Sequence, residues 1–177
     1  DQLASLFSEW RAFQKPKRTN GVVDYTAAAM ARQRTALATY QRRLRAIDTT
    51  GWSIPQQVDW HIVRAEMNGL DFDHRVLRPW ANNPAFYVTV FDDESDQPAR
   101  EGPHADGALE LFRVNDPAAT ESAIRAIPAL LQQARANLTG KQRDIWHYGI
   151  GEVRGQSATL AALSSRVTGT LKADVDR

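Results

Sequence analysis

The chain has 177 residues, of which 42% are hydrophobic, 24% are charged and 8% are aromatic, and these proportions exclude a disordered or fibrous protein. Its 22 basic and 21 acidic residues give a net charge of +1, which removes any whole-molecule charge argument for nucleic-acid binding. No run approaches the ~18 consecutive apolar residues of a membrane-spanning helix, and the lack of cysteine excludes disulfides, thiolate nucleophiles and cysteine-bound zinc.

Two amphipathic helices are predicted at the start of the chain. Apolar residues at helical spacing indicate a short helix over residues 3–13, which the polar stretch containing Pro16 and Gly21 ends. A longer helix follows to about residue 47, with Asp24 as its N-cap. The apolar face predicted for this second helix consists of Met30, Leu37, Tyr40, Leu44 and Ile47.

A third helix is predicted over residues 55–78, because proline suits a first helical turn and Pro79 prevents continuation. Two apolar bands run along it, the first through Val58, Ile62, Ala65, Phe72 and Val76 and the second through Val63, Leu70 and Leu77. Between the bands lie three carboxylates at seven-residue spacing, Asp59, Glu66 and Asp73. On a side meant for burial, such charges must be paired.

The three carboxylates have a functional and a structural interpretation. As functional groups they could bind a metal or act as general acid and base, but seven helical residues separate neighbours by ~10 Å, beyond the ~5–9.5 Å of glycosidase pairs. The structural interpretation, which is favoured, is that they are buried and form salt bridges with arginines of adjacent helices. It predicts that Glu66→Ala lowers the melting temperature.

The second half of the chain predicts a long irregular loop followed by more helices. Prolines, glycines and an acidic cluster occupy residues 81–107, with a brief extended piece at residues 86–91. A short turn at residues 108–112 precedes helices at residues 118–126 and 128–137, divided by Pro128, and a last helix over about residues 142–168. Gly149, Gly151 and Gly155 are expected to allow close helix approach. The fold class is therefore all-α, an antiparallel array of five to six helices in a single domain over residues 1–177.

Neither the histidines nor the basic residues form a recognisable site. His61, His74, His104 and His147 contain no pair at the spacing of an H-E-x-x-H zinc motif, so each is expected to be a surface or hydrogen-bonded histidine. Residues 11–45 carry a local charge of +8, yet the arginines of the second helix fall on different flanks. A solvated helix with arginines paired to carboxylates is favoured over a nucleic-acid patch.

Two parts of the chain carry a family resemblance. They are PQQVDW at residues 55–60, continuing as VRAEMNGL at 63–70 and FDHRVLRPW at 72–80, and IPALLQQARANL at 127–138. Together they resemble the N-terminal part of the bacterial domain-of-unknown-function family 885. Members of that family are longer, mainly helical and often exported, and they look like zinc metallopeptidases with a histidine–glutamate zinc motif in the later half.

The resemblance implies that this chain is the noncatalytic N-terminal region of a zinc-dependent peptidase-like hydrolase. No catalytic or metal residue can be carried over, because nothing in residues 1–177 matches the zinc motif. Zinc would belong to the full-length protein, and the implied partners are the C-terminal remainder of that protein and a peptide substrate. Candidates for a wall of the substrate cleft are Trp80, Phe86, Tyr87 and His104; the alternative is that these residues only pack the long loop against the rest of the protein.

Two further expectations concern the whole polypeptide. The sequence begins at Asp1 without methionine, so an upstream segment was removed either by a signal peptidase or when the protein was prepared. Export to the periplasm or outside is the expectation that the family resemblance carries. The alternative function is a free-standing helical module that binds other proteins. An exposed apolar patch of several hundred Å2 beside the last helix would indicate a missing partner domain.

Overall fold

A computed structural model describes residues 2–92, 109–111 and 117–176. Within these ranges there are six α-helices of seven or more residues, which confirms the all-α class. Residues 93–107 of the predicted loop, His104 among them, lie outside the described ranges, whereas residues 81–92 are described. The chain divides into two compact units: unit 1 contains Asp1–Pro16 and Thr26–Arg78, and unit 2 contains Lys17–Tyr25 and Pro79–Arg177. The prediction of a single domain over residues 1–177 is not tested by this division into compact units.

Unit 1 consists of three helices whose apolar faces meet in one core. They are α1 (Gln2–Gln14), α2 (Ala27–Arg45) and α3 (Ile54–Phe72). The predicted inner faces of α1 and α2 are confirmed, since their apolar residues at helical spacing are buried or packed against the core. The buried members of this core are Leu3, Leu6, Trp10, Leu37, Leu44, Val63 and Met67.

The starts of α2 and α3 are set by side chains that satisfy free backbone N–H groups. Thr26, not Asp24 as predicted, caps α2, because its hydroxyl accepts a hydrogen bond from the N–H of Ala29. Ser53 and Gln56 form a reciprocal capping box at the start of α3.

The end of α3 departs from regular helical geometry. A π turn over Asp73–Leu77 continues the helix, and the Arg78 N–H closes it by donating to the Asp73 carbonyl oxygen at 2.7 Å. Arg78 adopts a left-handed conformation with φ 44°, and Pro79 follows, so the helix ends where the sequence predicted.

Unit 2 contains the remaining helices and two very small sheets. Its helices are α4 (Pro79–Asn82), α5 (Pro117–Asn137), α6 (Arg143–Ser164) and α7 (Gly169–Val175), with a 3-10 turn at Pro84–Tyr87. Strands β1 (Arg18–Thr19) and β2 (Val22–Val23) pair antiparallel, and β3 (Val90–Phe91) pairs parallel with β4 (Leu109–Glu110). The buried part of the unit 2 core that joins β3, β4 and α5 consists of Val90, Leu109, Ile124 and Ile127.

Three features of unit 2 correct the sequence predictions. Pro128 does not divide a helix pair but lies inside the continuous α5; its ring removes one backbone hydrogen bond, yet buried residues on both sides of it, including Ile124 and Leu130, form one face that holds the helix together. The last helix ends at Ser164, and α7, which was not predicted, follows it. The segment expected to turn at residues 108–112 contributes strand β4.

The glycines of α6 behave differently from one another. A Cβ built at Gly149 would lie 2.8 Å from Pro84 Cδ and 2.9 Å from the backbone nitrogen of Ala85, so α6 and the 3-10 turn approach closely there. The same Cβ at Gly151 or Gly155 has no neighbouring heavy atom within 4 Å. The predicted close approach therefore holds at one of the three positions. Along the part of the chain that the structure describes, no helix is long and apolar enough to cross a membrane.

Candidate protein-docking face

Helix α3 has a buried side that belongs to the unit 1 core. Val63 and Met67 are buried among α1 and α2 residues, and Trp60 and Leu70 pack against the same cluster. The indole N–H of Trp60 donates to the carbonyl oxygen of Leu44 at 3.1 Å, which ties α3 to the end of α2. This side of the helix therefore carries the apolar packing of α3 within unit 1.

The opposite side of α3 carries an apolar stripe that is exposed. At ~100° per residue the members of the stripe fall within one narrow sector of the helix, and all of them are solvent-exposed. They are Val58, Ile62, Ala65, Gly69, Phe72 and Val76. The first band was expected to be buried, and the structure corrects this: the exposed fractions are 49% for Val58, 52% for Ile62 and 45% for Phe72.

The stripe has the spacing of a helix–helix seam. Successive members are four, three, four, three and four residues apart, which is the core pattern of a heptad repeat. From Val58 to Val76 it runs about 27 Å at the usual helical rise. A Cβ at Gly69 would meet nothing within 4 Å, so the middle of the stripe is open to a close neighbour.

A row of carboxylates borders one side of the stripe. This acidic row contains Asp59, Glu66 and Asp73, each one heptad from the next. Asp59 is exposed, which corrects the expectation that it is buried, whereas Glu66 and Asp73 are partly buried. The row therefore lies at the edge between the stripe and the packed side of the helix, where a neighbouring helix could reach it.

Glu66 is the member of the acidic row that is held within unit 1. Its Oε2 accepts hydrogen bonds from Trp10 Nε1 at 3.2 Å, Arg11 Nη1 at 3.4 Å and Gln14 Nε2 at 3.5 Å. The arginine belongs to α1, so this is an interhelical ion pair of the kind that the structural interpretation required. Since the indole is buried, Glu66 satisfies a donor that would otherwise be unpaired.

Asp73 is in a less favourable environment. Burial raises the pKa of its carboxyl group above the ordinary value of 3.8. Among the described residues its carboxylate has no hydrogen-bond or ion-pair partner, and it lies at the C-terminal end of α3, where the helix dipole disfavours a negative charge. A cation placed beside it would relieve this cost.

The other border of the stripe is polar and partly basic. His61, Asn68 and Arg75 occupy positions one heptad apart there. Arg75 pairs with Asp71 at 2.6 Å one turn earlier, so its charge is partly compensated. The stripe thus has an acidic edge and a polar to basic edge, and the two edges differ in charge.

His74, in the π turn, serves unit 1 structurally. It is 4% exposed and its Nε2 lies 2.9 Å from Gln33 Oε1 of α2. Burial, reinforced by the charge of Arg34, lowers the pKa of His74, while Asp71 acts in the opposite direction. The neutral imidazole is therefore the form that this site favours.

The cleft-wall candidates that the structure describes, Trp80, Phe86 and Tyr87, lie in unit 2. Phe86 and Tyr87 are buried, and Trp80 is partly buried. The Tyr87 hydroxyl donates to the Trp80 carbonyl oxygen at 2.6 Å and accepts from Asn137 Nδ2 at 3.0 Å. Burial raises the pKa of Tyr87 to about 12, so the hydroxyl stays protonated and acts as a structural donor. Phe86 stacks edge to face on Tyr25, also within the core of unit 2.

Other possible sites in the described part of the chain are small. Over residues 2–92, 109–111 and 117–176 no group of three or more metal-ligating side chains lies close enough to hold an ion. A cavity of about 230 Å3 lies beside β2 and α5, lined by Arg18, Val23, Ser122 and Ile127 among others. This volume is below the roughly 300–1,000 Å3 of typical small-molecule sites. A second cavity of about 300 Å3, lined by Asn20, Glu121 and Arg125 among others, lies at the lower limit of that range.

Comparison with known proteins identified no relative of this chain. No protein-family model, curated protein or solved structure matches the chain. The candidate site therefore rests on the geometry of α3. The sequence contained a signal for it, the heptad spacing of the stripe, but two apolar bands on one helix do not tell which band faces the core.

Proposed function

We propose that this chain is a noncatalytic helical scaffold of a zinc-dependent peptidase-like protein, and that it works by docking polypeptide on the apolar stripe of α3. The observation that carries the docking role is the exposure of four large apolar side chains in a single row, Val58, Ile62, Phe72 and Val76. Contiguous apolar surface of this kind marks protein interaction sites more often than ordinary solvated surface.

The peptidase-like context comes from the family resemblance of the segments at residues 55–80 and 127–138. In this proposal zinc and the general base belong to another part of the full-length protein, which is exported. The C-terminal remainder of that protein and a peptide substrate are the proposed partners. Trp80, which keeps part of its surface exposed, remains a proposed contributor to the cleft wall.

The test of this proposal is to follow the native reading frame beyond Arg177 to an H-E-x-x-H helix and assay the encoded protein. We expect zinc-dependent peptide hydrolysis by the whole protein, and loss of that activity when either histidine of the motif is replaced by alanine. The present chain, supplied with zinc, should show no hydrolysis. Peptide hydrolysis by the present chain alone would overturn the noncatalytic assignment.

The second candidate function is a free-standing helical interaction module. The same stripe favours it, because a heptad-spaced face can equally receive a helix of a separate protein. The two functions differ in whether hydrolase activity accompanies binding. A free-standing module binds a helical peptide but is not part of a hydrolase.

A further inference from the structure

We propose that the occupant of the apolar stripe is an amphipathic helix of a partner polypeptide, with an apolar heptad seam flanked by lysine or arginine at seven-residue spacing. This inference rests on the proposed docking function and names the chemistry of the partner. The heptad spacing selects a helix, because only another helix presents side chains at matching intervals over about five turns.

The acidic row selects the charge of that helix. Asp59, Glu66 and Asp73 repeat every seven residues along one edge of the seam, in the place where flanking residues of paired helices meet. Glu66 already has an arginine of α1 beside it, whereas Asp59 and Asp73 have no ion pair with any described residue. Cations of a partner at these two positions would complete the edge.

A second copy of the chain fits this edge less well. If two α3 helices paired in antiparallel fashion, each acidic row would face the other row, and like charges would repel. If they paired in parallel, Glu66 and Asp73 would face His61 and Asn68 of the other copy, which offers no permanent cation. A basic helix therefore suits the charges better than self-association.

The interaction can be tested with synthetic helices. The probe is a labelled peptide of about four heptads with leucine at the seam positions and lysine on one flank; its matched partner has glutamate in place of those lysines. Fluorescence anisotropy at low salt should show the lysine peptide binding about three- to tenfold more tightly than the glutamate peptide. The double variant Asp59→Lys, Asp73→Lys should reverse that order.

Variants of the chain separate the apolar and charged contributions. Ile62→Asp should abolish binding of both peptides, while Ile150→Asp, at an exposed apolar position of α6, should leave binding unchanged. Circular dichroism checks that each variant is folded. Equal binding of the two peptides would overturn the basic-helix inference and leave docking intact, whereas no binding of either would overturn docking itself. A dimer in sedimentation analysis that Ile62→Asp dissociates would overturn the inference in favour of a second copy.

Discussion

His74 is a single side chain that makes the stability of unit 1 depend on pH. The imidazole is buried against Gln33, and burial together with Arg34 lowers its pKa below the ordinary 6.5. The unfolded chain therefore takes up a proton first as the pH falls, and protonation favours unfolding. We expect the free energy of unfolding of unit 1 to be retained above pH 6.5 and to decrease progressively below it.

Chemical denaturation between pH 5 and 8, with an NMR titration of His74, measures this effect. The variant His61→Gln is the control, because His61 is exposed and its replacement leaves the surroundings of His74 unchanged. A titration of His74 at or above 6.5 would contradict the expectation. The sequence predicted a hydrogen-bonded or surface histidine here; its partner on α2 required the tertiary structure.

Asp73 has a pKa shifted in the opposite sense for a related reason. Because burial raises its pKa, the folded state holds the proton more tightly, and the ionised form at neutral pH costs stability. Asp73→Asn should therefore raise the free energy of unfolding at pH 7, and the gain should vanish as the pH falls toward 3.8 and the native carboxyl group is protonated. A loss of stability at pH 7 would show that the carboxylate has a favourable partner. The same variant should weaken binding of the lysine peptide, so stability and binding change in opposite directions.

Helix α6 allows a matched comparison of two glycines. Gly149→Ala should destabilise unit 2 by about 1–3 kcal/mol, because the new methyl group would overlap Pro84 and the backbone of Ala85. Gly155→Ala should stabilise by about 0.8–1 kcal/mol, because its Cβ meets open space and alanine has the higher helix propensity. Urea unfolding of both variants tests the pair. Equal effects of the two substitutions would contradict the packing of α6 on the 3-10 turn.

The sequence predicted where helices occur far better than where each helix ends or which elements it packs against. The faces of α1 and α2 followed from apolar spacing alone, because each has a single apolar side. The prediction that Pro128 divides two helices was wrong, because burial of Ile124 and Leu130 along one continuous helix outweighs the loss of one backbone hydrogen bond. Strand β3 lies at the end of the extended piece predicted at residues 86–91, the start of which forms a 3-10 turn instead. The other strands were not predicted, because two residues are too few to show an alternating pattern.

At the scale of the whole chain, the side of α3 that packs in the core determines which side is left exposed as the candidate docking face. The sequence showed both apolar bands and the carboxylates between them. Residue spacing alone, however, does not tell which of two apolar bands is buried. Packing of α1 and α2 on Val63 and Met67 decides the question and leaves the stripe outside. That choice depends on three helices meeting in space, so one helix read alone could not supply it.

The most direct measurement compares substitutions at two adjacent residues, Ile62 and Val63, which are 52% and 4% exposed. Ile62→Asp should change the free energy of unfolding by no more than about 0.5 kcal/mol, as expected for surface positions. Val63→Asp should lower it by at least about 3 kcal/mol, because an unpaired charge would be buried in the unit 1 core. Urea denaturation of both variants gives the comparison. A loss on Ile62→Asp as large as that on Val63→Asp would show that the stripe belongs to the core and would contradict its role as a docking face.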